Sequence, residues 1–121
     1  MTSAPPMRRI LVTGGCGFIG NALVRVLLRD SNLHVLNLDA LAYAAVPEGL
    51  SDLADNPRYS FVEGDVRDRP TLDAALLGFQ PDGVVHLAAE THVDRSIDNP
   101  RSFLDTNVEG TLTLLQAATR Y

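Results

Sequence analysis

The run Thr13-Gly14-Gly15-Cys16-Gly17-Phe18-Ile19-Gly20 follows the apolar segment Ile10-Leu11-Val12 and opens a stretch with helical spacing. A strand that turns through glycines into a helix brings bare backbone and the positive end of a helix to one point, as a nucleotide pyrophosphate requires. Gly14, Gly17 and Gly20 supply the positions without side chains, in the spacing Gly-x-x-Gly-x-x-Gly. The first interval is one residue longer than in the tightest dinucleotide fingerprint. A turn of this kind can also serve tight packing alone.

Asp39 narrows the reading. It ends a second apolar run, nineteen residues beyond Gly20, where a carboxylate can accept hydrogen bonds from both hydroxyls of a ribose. Its charge repels a 2′-phosphate and no arginine lies near it in sequence, so NAD is expected over NADP. The alternative is that Asp39 caps a turn. Asp65 and Val66 follow a third apolar run, where the carboxylate could take the adenine amino hydrogen and the apolar neighbour could flank the ring. A solvated turn aspartate fits that position nearly as well.

The order of elements gives the fold class. Arg9 to Thr13 reads as a buried strand, and Ile19, Ala22, Leu23, Val26 and Leu27 recur at helical spacing. Residues 33–38 read as a second strand, 40–57 as irregular with a short helix near 48–54, and Tyr59 to Glu63 as a third strand. A helix is expected over 71–79 behind Pro70, then a turn at Gln80-Pro81-Asp82-Gly83, then a fourth strand over 83–88. Asn99-Pro100 reads as the cap and first residue of a last helix, with Phe103, Leu104, Val108, Leu112, Leu115 and Ala118 along one side. Alternating strands and helices predict an α/β, Rossmann-type doubly wound parallel sheet of four strands in the order 3-2-1-4. Strand four would be an open edge, so a domain over 9–121, truncated on its C-terminal side and weakly folded alone, is expected after a flexible leader at 1–8.

Composition excludes several classes. A net charge of -5 without a basic stripe argues against nucleic acid. The apolar runs fall far short of the roughly 20 residues a bilayer needs, so no membrane is expected and a cytoplasmic address follows. Cys16 is the single cysteine and cannot form an internal disulfide, which fits a reducing compartment. His34, His86 and His92 lack ligand-like spacing, so no metal is expected. Ser96 lies outside any nucleophile elbow. All ten basic residues are arginine, which excludes every mechanism that needs a lysine within these residues. His86, inside an apolar strand, reads as a satisfied core histidine. His92, Asp94 and Arg95 are loop residues suited to local ion pairs or to substrate contact. Leu87 to Thr91 leaves strand four where the strand order reverses and a ligand crevice should form.

These motifs resemble the extended short-chain dehydrogenase/reductase superfamily, and the run His86-Leu87-Ala88-Ala89-Glu90-Thr91-His92-Val93-Asp94-Arg95-Ser96 is similar to that of the dTDP-glucose 4,6-dehydratases. The resemblance covers nearly all of the chain after Arg8. It implies that Gly14, Gly17, Phe18, Ile19 and Gly20 face the NAD pyrophosphate, and that Asp39 holds the adenosine ribose. Ala40, Leu41 and Ala42 would lie against the adenosine end, Asp65 and Val66 against adenine, and Leu87, Ala88, Ala89 and Glu90 along the nicotinamide side. Thr106 would add a cofactor contact, Asn107 would brace neighbouring strands, and Thr91 would meet the sugar substrate.

The reaction so implied is a lyase step of deoxysugar biosynthesis, turning dTDP-glucose into dTDP-4-keto-6-deoxyglucose with NAD reduced and reoxidised in each turnover, in a homodimer of full-length chains. There are departures. Ala40 and its neighbours replace the family's usual lysine and threonine, Thr91 replaces serine, and Cys16 stands where alanine is common. The family's proton-transfer tyrosine lies four residues before a lysine, and its Asp-Glu pair follows a fifth strand, so no catalytic residue is assigned here. An epimerase or decarboxylase for another sugar nucleotide, and a non-catalytic NAD-binding module, remain the alternatives.

Overall fold

A strand in the middle of a parallel sheet is covered on both faces, so it needs apolar side chains in both directions. β1 (Arg9–Thr13) meets that demand, being buried from Ile10 to Thr13. The structure, a computed structural model, describes residues 8–40, 53, 55–88 and 108–121. β1 pairs in parallel with β2 (His34–Asp39) on one side and β4 (Gly83–His86) on the other, and β2 pairs with β3 (Tyr59–Glu63). The sheet order is β3-β2-β1-β4, as predicted.

Alternation of side chains along a strand divides the core in two. Ile10, Val12 and Val35 pack with Cys16 and with Val24 and Leu28 of α1 (Phe18–Asp30). Leu11, Leu36 and Leu38 point the other way, onto Leu72 and Leu76 of α2 (Arg69–Phe79) and Leu114 and Ala117 of α3 (Gly110–Arg120). Helices therefore cover both faces of the sheet, which is the doubly wound arrangement. The same alternation puts Asn37 and Asp39 of β2 on the α1 side, beneath the glycine loop.

Several expected boundaries shift for identifiable reasons. α2 begins at Arg69, with Pro70 inside its first turn rather than before it, because amide positions there have no intrahelical acceptor and proline loses nothing. The β4 ladder ends at His86 and not at residue 88: the Leu87 amide makes the last main-chain bond, to the Thr13 carbonyl at 2.9 Å, and the Ala88 amide turns onto the Thr13 side chain. β2 starts one residue later than expected, at His34. All but Leu53 of the helix expected near 48–54, the start at Asn99-Pro100, and Phe103 and Leu104 fall outside the described residues.

The last helix turns its expected stripe outward. Val108, Leu112 and Leu115 are exposed, whereas Gly110, Leu114 and Ala117 are buried. Apolar residues occupy more than one side of this helix, so periodicity fits two orientations. Gly110 selects between them. A Cβ there would lie 2.6 Å from Cγ2 of Val66, so the missing side chain lets α3 close onto the core and bury Leu114, worth about 2 kcal/mol.

Two polar clamps join the elements. Arg58 sends Nη2 to the carbonyl of Leu28 at 2.6 Å and Nη1 to those of Ser31 and Leu33 at 2.8 and 3.1 Å. A cation thus closes the negative end of α1 and ties it to the start of β3. Asp82 accepts the amides of Arg8 and Arg9 at 2.7 and 2.9 Å, and those donors hold its carboxyl below the usual carboxylate range. No helix among the described residues is long and apolar enough to cross a membrane.

Candidate functional site

Because all four strands run parallel, their carboxyl ends share one edge, and a crevice opens there where the order reverses between β1 and β4. Thr13 lies opposite both Leu38 and His86, and Asp39 opposite Glu63. The glycine loop, Asp39, Asp65 and the exit of β4 are thereby gathered on that edge.

The loop is built from its glycines. Gly14 has φ of 75°, a left-handed conformation that a side chain disfavours. A Cβ on it would lie 2.7 Å from both the Ala88 nitrogen and the Leu87 carbonyl carbon. A Cβ on Gly20 would strike the Gly14 carbonyl oxygen and lie 2.7 Å from the Gly15 Cα. These two glycines are required by packing within the chain. Gly17 differs, since its Cβ would meet only the Gly14 carbonyl oxygen, at 3.4 Å, and its missing side chain keeps the outer approach low.

The inner amides of the loop are already used. Gly15 N–H donates to Oδ1 of Asn37 at 2.8 Å and Cys16 N–H to Oδ2 of Asp39 at 2.9 Å. Asn37, fully buried, also donates through Nδ2 to Sγ of Cys16 at 3.4 Å and to the Tyr59 hydroxyl at 3.2 Å. Burial, reinforced by the adjacent Asp39 carboxylate, pushes the Cys16 thiol up, so it stays protonated and inert. Burial likewise raises the Tyr59 hydroxyl.

The outer amides are arranged differently. α1 has Gly17 as its N-cap, with no side-chain cap and no acidic residue in the first turn. The N–H groups of its first turn have no intrahelical acceptor, and the helix end favours an anion. Phe18 and Ile19 beside it are 93% and 68% exposed, so a ligand at the helix end would lie against two large apolar side chains. Backbone donors, a positive helix end and a bare approach suit a dinucleotide pyrophosphate. Asp39, 6% exposed, stands next to it with a carboxylate of the type that holds a ribose.

Asp65 is paired with Arg67, whose Nη2 lies 2.6 Å from Oδ2 and whose amide donates to Oδ1 at 2.8 Å. Those hydrogen bonds hold its carboxyl below the usual range. Val66 is 3% exposed, its side chain packed beneath Gly110. Ala40 is exposed directly after Asp39. Leu87 and Ala88 are half-buried against the loop. Leu41, Ala42, Ala89, Glu90, Thr91 and Thr106 lie outside the described residues, as do His92, Asp94 and Arg95.

His86 is the satisfied core histidine that the sequence suggested. Nδ1 lies 2.6 Å from Oγ1 of Thr13 and Nε2 lies 2.9 Å from Oγ1 of Thr111, and burial lowers its pKa. Sequence reasoning missed the parts played by Asn37, Arg67 and Thr111. Asn37 did leave a signal, an amide in the apolar strand Leu36-Asn37-Leu38, whereas Arg67 and Thr111 left none.

The family model described as GDP-mannose 4,6 dehydratase matches residues 11–121. The chain belongs to this family. Within it, the chain is 52% identical over 115 residues to the dTDP-glucose 4,6-dehydratase of Neisseria meningitidis serogroup B, covering 95% of this chain and 32% of that protein. It is 49% identical over 113 residues to dTDP-glucose 4,6-dehydratase 1 of Escherichia coli K12, covering 93% and 31%. The crystal structure of the Streptomyces venezuelae dTDP-glucose 4,6-dehydratase, which has NAD bound, overlays with a TM-score of 0.86 at 47% identity, over 93% of this chain and 36% of that one. The chain thus spans about a third of the length of the relatives it matches.

Proposed function

We propose that this chain is the NAD-binding portion of a dTDP-glucose 4,6-dehydratase, with residues 9–121 as the cofactor domain behind a leader at 1–8. One observation carries the cofactor: the inner loop amides end on Asn37 and Asp39, which leaves the outer first-turn amides of α1 facing the crevice. NAD fits there in preference to NADP because a 2′-phosphate would approach the Asp39 carboxylate. When bound, NAD supplies a hydride acceptor that is restored within the same turnover. The chain's own residues bind and orient. The α1 amides hold the pyrophosphate, Asp39 the ribose, and Asp65 the adenine amino group. Thr91 meets the sugar, and the exit of β4 closes the nicotinamide side.

The substrate follows from identity. The dehydratases named for dTDP-glucose from Neisseria meningitidis and Escherichia coli match at 45 to 52%, whereas the solved dehydratase of Bacillus anthracis and the UDP-glucose 4-epimerase of Thermus thermophilus both overlay at 36% identity, with TM-scores of 0.83 and 0.81. The fold is common to both groups, and the higher identity favours the dehydratase. Full-length chains would form a homodimer in the cytoplasm, and Val108, Leu112 and Leu115 are exposed apolar residues on the outer side of α3. The 121 residues contain no lysine to partner the family's tyrosine, so by themselves they bind cofactor and do not dehydrate sugar.

Calorimetric titration of the chain with NAD and NADP tests the cofactor, and tighter binding of NADP would overturn it. Turnover of dTDP-glucose against UDP sugars by a full-length protein bearing this segment tests the substrate. Turnover of UDP sugars alone would sink the dehydratase reading.

A further inference from the structure

The crevice wall on the β4 side depends on one hydroxyl. Thr13 is fully buried, and its Oγ1 accepts the amides of Leu87 and Ala88 at 3.1 and 3.2 Å. These are the residues that approach Gly14 so closely that no Cβ fits between them. A threonine hydroxyl has two lone pairs and one proton. The Ala88 amide takes one lone pair and the Leu87 amide, shared with the Thr13 carbonyl at 2.9 Å, leans on the other, so the hydroxyl proton goes to the remaining neighbour, Nδ1 of His86 at 2.6 Å. Nδ1 is therefore the bare nitrogen. The ring proton sits on Nε2 and is donated to Oγ1 of Thr111 on α3, 2.9 Å away.

We propose that His86, held in its Nε2–H tautomer between Thr13 and Thr111, is a positioning residue that holds Leu87 and Ala88 against the glycine loop and so sets the nicotinamide side of the cofactor site. The assignment rests on the NAD reading above. The opposite tautomer would aim an N–H at Thr13 Oγ1 in competition with the Ala88 amide, which has its hydrogen bond there, whereas the Leu87 amide also holds the Thr13 carbonyl. Thr111 is remote from the loop in sequence, and its hydroxyl supplies the acceptor for the Nε2 proton that this tautomer carries. Burial of the ring disfavours the doubly protonated form, so the ring is neutral and one of its nitrogens is bare.

The test uses the chain itself, Thr111→Val and Thr111→Ser, each titrated with NAD and with ADP-ribose, and the histidine rings followed by 15N NMR. Valine keeps the shape and removes the acceptor, whereas serine restores it. In the unaltered chain the His86 ring should show a bare Nδ1 and a protonated Nε2. Thr111→Val should lose that signature and bind NAD about fivefold more weakly, the equivalent of one hydrogen bond. ADP-ribose, which lacks the nicotinamide, should keep its affinity, and Thr111→Ser should recover both signature and NAD binding. NAD affinity that ignores Thr111→Val overturns the role of His86 and leaves the cofactor reading standing. An unaltered chain that binds neither ligand overturns the cofactor reading itself. If Thr111→Val does not fold, the unaltered ring decides, and a proton on Nδ1 overturns the proposal.

Discussion

The amide of Cys16 donates to Oδ2 of Asp39 at 2.9 Å, so the carboxylate expected to hold the ribose also holds the loop that should hold the pyrophosphate. One side chain would thus serve both halves of a bound adenosine diphosphate. The two duties can be separated by substitution.

Asp39→Asn keeps an oxygen acceptor for the Cys16 amide and removes the charge. The melting temperature should move by only a few degrees, while NAD affinity falls about tenfold and NADP loses its disadvantage, since hydrogen bonds to a charged acceptor exceed those to a neutral one. Asp39→Leu should lose both binding and the loop anchor. An unchanged ratio of NAD to NADP affinity in Asp39→Asn would count against the ribose role.

Two glycine substitutions should act in opposite directions. Gly20→Ala forces a methyl into the Gly14 carbonyl and the Gly15 backbone, which cannot rotate away, and should cost about 1–3 kcal/mol in urea unfolding. Gly78→Ala meets nothing within 4 Å inside α2 and should stabilise by up to about 1 kcal/mol through helix propensity. A neutral Gly20→Ala would contradict the packing described for the loop.

Arg58→Ala removes the cation that closes α1 and frees the carbonyls of Leu28, Ser31 and Leu33. A loss of about 2 kcal/mol is expected. Arg58→Lys should recover only part of it, because an ammonium lacks the planar fork that spans separate acceptors. Full recovery by lysine would show that charge at the helix end, rather than the forked geometry, provides the stability.

Acidity acts through His86. Its pKa is lowered in the fold, so below about pH 6.5 the unfolded chain takes up the proton first and folding weakens. The contribution is complete above that pH and is lost as pH falls towards the depressed folded value. Melting temperatures taken from pH 8 down to pH 5 should decline in that window, and His86→Asn should flatten the decline. A decline of equal size in His86→Asn would trace it to other groups.

Much of the fold was legible because parallel strands announce themselves. Ile10-Leu11-Val12 and Val35-Leu36 are apolar on both faces, and the glycine turn between strand and helix fixes the order of events. The orientation of α3 was not legible. Leu112, Leu114, Leu115, Ala117 and Ala118 permit two buried sides, and the decision rests on Gly110, whose contribution is an absence that hydrophobic counting overlooks. Arg58 was invisible for another reason: its acceptors are carbonyls 25 to 30 residues away, and any residue has a carbonyl. In the candidate site, the residues that would touch a ligand were readable from their types. Those that hold them from behind, Asn37 and Thr111, depend on register.

The anchoring of Gly15 and Cys16 on β2 limits how the loop can be transplanted. Copying residues 14–20 into another scaffold of this class carries over the glycines but not Asn37 and Asp39, which sit one pleat apart on the neighbouring strand. The graft would present two amides with no acceptor behind them, and the outer amides would then compete with the inner ones for the same anion. The smallest portable unit is a pair of strands with the turn between β1 and α1, so the binding element is inherited as a piece of sheet rather than as a sequence motif.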